Sequence, residues 1–117
     1  MKFKHTAISV AVAAMVGGVV GSASAATEIQ WWHAMGGALG ERVNDIALNF
    51  NKSQSEYKVV PSYKGNYSET MTAGIAAYRA KKPPHILQVY EVGTATMMGA
   101  KGAVVPVHKL MADTGQA

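Results

Sequence analysis

A chain of 117 residues with a formal charge of +4 and no cysteine can bury one modest core and must hold it without disulfides. The missing thiols also exclude a thiolate metal site. Without Lys2 and Lys4 the charge falls to +2, and the remaining basic side chains (Arg42, Lys52, Lys58, Lys64 and Arg79 among them) are scattered, with only Lys81-Lys82 adjacent, before two prolines in an expected loop. That distribution reads as solvated surface and gives no ground for nucleic acid or an acidic membrane as partner.

The first residues read as an export signal. Lys2 and Lys4 supply a basic start, Thr6 to Gly21 is uncharged and rich in Ala and Val, and Ala23-Ser24-Ala25 is an A-x-A cleavage site. The apolar run is shorter than the roughly 20 residues that span a bilayer. Cleavage after Ala25 is expected, which leaves residues 26–117 as the mature chain outside the cytoplasm.

Thr27 to His33, with Ile29, Trp31 and Trp32, reads as a first strand that Gly36-Gly37 breaks. Leu39, Val43, Ile46, Ala47 and Phe50 then recur at spacings of three and four. They predict an amphipathic helix that begins near Gly40, with Glu41 in its first turn, and leaves through the polar run Asn51–Ser55. Tyr57 to Tyr63 reads as a second strand, and Pro61, which lacks a backbone donor, places it at a strand end or a sheet edge.

Asn66 and Glu69 have capping-box spacing at the start of a second helix, Tyr67 to Ala80. Met71, Ile75 and Tyr78 form its expected buried stripe, and Ala73, Gly74, Ala76 and Ala77 permit close approach to a sheet. Lys82-Pro83-Pro84 ends that helix. His85 to Val92 is nearly all apolar, as a parallel strand covered on both faces would be. Gly93-Thr94 opens a short helix through Met97 and Met98, both expected in the core, and Ala100. Ala103 to Val107 reads as extended.

Alternating strands and helices predict an α/β fold, a βαβαβ start with a parallel sheet. In such sheets ligands bind beyond the carboxyl ends of the strands. Three loops then share one edge: His33–Gly37, Lys64–Tyr67 and Glu91–Thr94. Tyr67 offers a ring face and a phenolic hydroxyl at a helix start. Glu91, which closes an apolar strand, would need partners if buried. It reads either as a solvated strand end or local helix cap, or as an acceptor for ligand hydroxyls. Amides at the helix mouth favour an anion, whereas Glu91 repels one. A ligand with hydroxyls at one end and an anion at the other satisfies both.

Enzymatic signatures are missing. Met35-Gly36-Gly37-Ala38-Leu39-Gly40 departs from G-x-G-x-x-G at its first glycine, and Tyr63-Lys64 stand where a ribose-binding carboxylate belongs. There is no P-loop, no G-x-S-x-G and no H-E-x-x-H. His33, His85 and His108 lack metal-ligand spacing, and neither a metal nor any other cofactor is expected. His33 reads as a packing residue and His85 as surface.

Trp32-His33 with Met35, Tyr63-Lys64-Gly65-Asn66-Tyr67, Ala73-Gly74-Ile75-Ala76-Ala77 and Leu87 through Met98 resemble the glycerol-3-phosphate-binding branch of the periplasmic solute-binding proteins of bacterial ABC importers. The resemblance covers essentially the whole mature chain. It implies a two-lobed periplasmic receptor that closes over glycerol-3-phosphate or its diesters, is not an enzyme, and delivers ligand to membrane permease subunits and their ATPase. The family's ligand-contacting tyrosine and glutamate fall on Tyr67 and Glu91. Gly36-Gly37-Ala38 departs from the acidic residues the family shows there. The chain is also short for a two-lobed receptor, so residues 26–117 are expected to be an incomplete first lobe. Three alternatives stay open: a sugar receptor of the same class, an exported hydrolase using Glu91, and a small standalone structural protein.

Overall fold

A computed structural model describes residues 25–116. The signal expected over residues 1–24 lies outside them. Strand β1 (Thr27–His33) is the centre of a three-stranded parallel sheet of order β2-β1-β3. Its neighbours are β2 (Tyr57–Tyr63) and β3 (Ile86–Leu87). Thr27 pairs with Tyr57 and so on through His33 with Tyr63, while Trp31 and Trp32 pair with Ile86 and Leu87. The edge position that Pro61 called for is the one β2 occupies.

Two helices cross between the strands on opposite faces. Helix α1 (Gly37–Ser53) packs on β2 and shares a face with Ile29, Trp31, Val59 and Ile86. Helix α2 (Tyr67–Arg79) packs on β1 and β3 from the other side. There Gly74 lies so close to Leu87 that a Cβ would sit 2.5 Å from its side chain, which is the close approach expected of this glycine. Asn51 fastens α1 to β2 by donating from Nδ2 to the Val59 carbonyl (2.8 Å) and accepting the Val59 amide (2.7 Å). Among the described residues the buried apolar side chains are Val43 and Ala47.

Several elements differ from expectation. The third strand keeps two ladder residues, flanked by bonds from the His85 amide to the Gln30 carbonyl and from the Gln88 amide to the Trp32 carbonyl. The chain then leaves the sheet, and Glu91–Gly93 forms a 3₁₀ turn. Glu91 therefore opens a turn and does not end a buried strand. The apolar run that resembled a strand packs instead beside α2, where Met71, Val89 and Tyr90 crowd Gly93. An apolar run without alternation does not distinguish those two fates.

Helix α1 begins at Gly37, three residues early, with Gly40 inside it bonded to the Gly36 carbonyl (3.3 Å). Glu41 consequently lies beyond the first turn. Leu39, Ile46 and Phe50 are exposed, so only part of the predicted stripe is covered. Tyr78 and Met98 are exposed as well. The short helix α3 spans Thr94–Gly99. Helix α4 (Val107–Thr114) follows, capped at its end by Gly115 at φ +70; it starts at the last residue of the expected extended piece and lies in a stretch for which the sequence pattern gave no expectation. Pro106 immediately precedes α4, where its missing N–H costs nothing because the first amides of a helix have no partner within it.

Candidate functional site

The strand order places a reversal of direction between β1 and β3, because the chain moves outward to β2 and then returns past β1. Such a switch point opens a crevice at the carboxyl ends of the adjacent strands. Here those ends are His33–Met35 and Gln88–Glu91, with the start of α2 beside them. The Lys64 amide donates to the His33 carbonyl at 2.9 Å, and Thr70 Oγ1 reaches the same carbonyl at 3.4 Å from a fully buried position. Gln88 Oε1 accepts the Ala34 amide at 2.9 Å and ties the ends of β1 and β3 together.

Tyr67 stands at the start of α2, as expected. Its ring stacks on Tyr90 with centroids 5.3 Å apart and planes 20° from parallel, yet 44% of the residue stays exposed. Tyr90 immediately precedes Glu91, so the two residues singled out from sequence are joined through one aromatic contact. The Tyr90 hydroxyl also lies 3.5 Å from Ser68 Oγ. Glu91 is exposed, and among the described residues its carboxylate has no hydrogen bond or ion pair. Neither the 3₁₀ turn nor α3 is capped by a side chain, which removes the local-cap reading of Glu91.

The helix mouth behaves differently from expectation. The capping box forms, with Asn66 Oδ1 accepting the Glu69 amide at 3.0 Å and Glu69 Oε2 accepting the Asn66 amide at 2.7 Å. The Glu69 carboxylate thereby takes the place an anion would have at α2. By contrast, the N-terminus of α1 has no side-chain cap and no acidic residue in its first turn. It opens onto a hollow of about 390 Å³ lined by His33, Gly36, Glu41, Asn44 and Tyr63, among others.

His33 is 3% exposed and packs between Trp31 and Tyr63, its ring centroid 6.0 and 6.1 Å from theirs. Burial lowers its pKa below the usual 6.5. It is the packing residue that the sequence pointed to, with a polar bond in addition, because Nδ1 accepts the Met35 amide at 3.3 Å. His85 is exposed, also as expected, and accepts the Gln30 amide at 3.0 Å.

Sequence reasoning passed over Tyr90, Gln88 and the pair in which the Lys64 ammonium lies 4.3 Å from the centre of the Trp32 ring. Tyr90 and Gln88 were hidden inside a presumed strand, and nothing in their spacing separates them from packing residues. Among the described residues no group of three or more His, Asp and Glu could hold a metal. No helix among them is long and apolar enough to cross a membrane.

No protein-family model matches the chain. Curated relatives do. The sn-glycerol-3-phosphate-binding periplasmic protein UgpB of Brucella suis biovar 1 is 51% identical over 110 residues, covering 94% of this chain and 25% of the relative. The protein of the same name from Rhizobium meliloti is 55% identical over 93 residues, 80% of this chain and 22% of the relative. That of Yersinia pestis bv. Antiqua is 58% identical over 92 residues, 79% and 21%. The chain thus spans about a quarter of the length of these relatives. Over most of its own length, this α/β chain is similar to part of the sn-glycerol-3-phosphate-binding periplasmic proteins.

Proposed function

We propose that residues 26–117 form part of the first lobe of a periplasmic receptor that binds sn-glycerol-3-phosphate, or its diesters, for an ABC importer. Tyr67 and Glu91 are the ligand contacts in this reading. The Glu91 carboxylate, without a partner among the described residues, accepts ligand hydroxyls, and Tyr67 gives them an apolar ring face and a hydroxyl. The anionic end of the ligand points away from Glu91 and from Glu69. The partners are permease subunits and their ATPase, reached after export through the signal at residues 1–25. In this reading the chain binds and releases its ligand without chemistry.

The observation that carries this reading is the 51% identity over 94% of the chain to a relative named for glycerol-3-phosphate binding. The Tyr67–Tyr90 stack beside an unpaired Glu91 supports it. The test is a graft in which this chain replaces the matching segment of the Brucella suis relative, with glycerol-3-phosphate affinity measured by calorimetry. The graft is expected to bind. Tyr67→Ala and Glu91→Gln are each expected to weaken binding about tenfold or more, near 1.4 kcal/mol. The chain alone is expected to show no measurable affinity, because its site is an open surface and tight small-molecule sites bury most of the ligand. Unchanged affinity in both variants would remove Tyr67 and Glu91 from the site. A thermal shift with maltose and none with glycerol-3-phosphate would make the graft a sugar receptor.

A further inference from the structure

We propose that His33 is the positioning residue of the loop between β1 and α1: its unprotonated Nδ1 holds the Met35 amide, and a proton taken up there releases the loop. The inference rests on the reading above insofar as that loop borders the ligand crevice. The loop has two anchors. Gln88 Oε1 accepts the Ala34 amide from the β3 side, and His33 Nδ1 accepts the Met35 amide from beneath. The Gln88 amide group does not titrate. The imidazole does, and a protonated Nδ1 cannot accept.

Because Nδ1 receives an N–H, the proton of the neutral ring is assigned to Nε2. Added protons must go to Nδ1, onto the lone pair that the Met35 amide uses. Two N–H groups would then face each other across 3.3 Å, so the loop must move. Release would spread toward α1, since the Met35 carbonyl lies where a Cβ on Gly40 would come within 2.7 Å of it.

The titratable groups around the ring come from two elements. Tyr63, on β2, has its ring centroid 6.1 Å from that of the imidazole. Glu41, on α1, lines the same hollow. The Lys64 ammonium lies over Trp32, whose side chain alternates to the other face of β1. α2 contributes the neutral Thr70, bonded to the His33 carbonyl and not to the ring.

The experiment is a magnetic-resonance titration of the nitrogen-labelled full chain from about pH 8 to about pH 5. At the alkaline end the ring is expected as the Nε2–H tautomer. The Met35 amide should then shift with the midpoint of the His33 ring. Its protection, corrected for intrinsic exchange, should fall about tenfold as a local opening. The Lys64 amide, bonded to the His33 carbonyl, should remain protected and so distinguish loop release from unfolding. In His33→Asn, Oδ1 replaces the acceptor without titrating, and the Met35 signal should become pH-independent. In His33→Gln the acceptor lies too far out, and the loop should be loose throughout.

An Nδ1–H tautomer, or a Met35 amide indifferent to the ring's midpoint, would overturn the proposal. The wild-type titration decides alone if either variant fails to fold. These signals need no ligand. A released loop in a protein whose graft binds no glycerol-3-phosphate would uphold the switch and refute the receptor, and the converse pair of results would do the reverse.

Discussion

At the scale of single residues, the groups that matter are those whose backbone or charge state has no substitute. Gly65 holds φ at +93, and a Cβ there would collide with the Glu69 carboxylate that completes the capping box. Gly65→Ala therefore strains the turn and breaks the cap together. Asn66→Ala removes the cap alone and is expected to cost about 1 kcal/mol, with Gly65→Ala costing more, both read from urea midpoints. His33 makes a different prediction. Its folded pKa lies below 6.5, so the unfolded chain binds the extra proton first. Unfolding free energy should be constant well above that value, decline as pH falls through it, and level off below the folded pKa. In His33→Asn this part of the pH dependence should vanish, and a slope that survives would assign it to another group.

Among the elements, α2 is where local signals and tertiary contacts agree. Its capping box was readable as Asn66 and Glu69 three apart, and the structure forms both bonds. Gly74 was readable as a place of close packing, and Leu87 fills it. The segment after β3 shows the opposite case. Its apolar residues gave the same pattern a buried strand gives, but Gln88 and Tyr90 find partners in Ala34 and Tyr67 outside the sheet. Those partners lie 54 and 23 positions away in the chain, beyond any local window. The extended reading of Ala103–Val107 ends one residue late: Pro106 is extended, and α4 begins at Val107 and stops at Gly115.

For the whole molecule, the sheet face shared with α1 carries an open apolar hollow of about 430 Å³ lined by Ile29, Trp31, Ile46, Phe50 and Ile86, among others. Among the described residues β3 has β1 as its one sheet partner. Exposed apolar surface next to an unpaired strand edge favours association between copies. Ile46 is 59% exposed, so Ile46→Lys should lower self-association in light scattering while leaving the unfolding midpoint nearly unchanged. Equal scattering from both proteins would place the sticky surface elsewhere, with the exposed Val107, Leu110 and Met111 of α4 as the next region to alter.

What the sequence determined by itself was the order of strands and helices as far as α3, the first two strands to the residue, the cap of α2, and the choice of Tyr67 and Glu91 as candidates. These follow from periodicity, turn chemistry and neighbours three or four positions away, all of which act locally. Only the tertiary structure decided that Glu91 opens a turn, that Tyr90 joins it to Tyr67, and that His33 holds the Met35 amide. Apart from the His33 bond, which depends on backbone course, these features arise where segments distant in sequence meet. The physical reason is that a hydrogen-bonding or stacking group is indifferent to sequence distance, and its partner is chosen by which surfaces the sheet brings together.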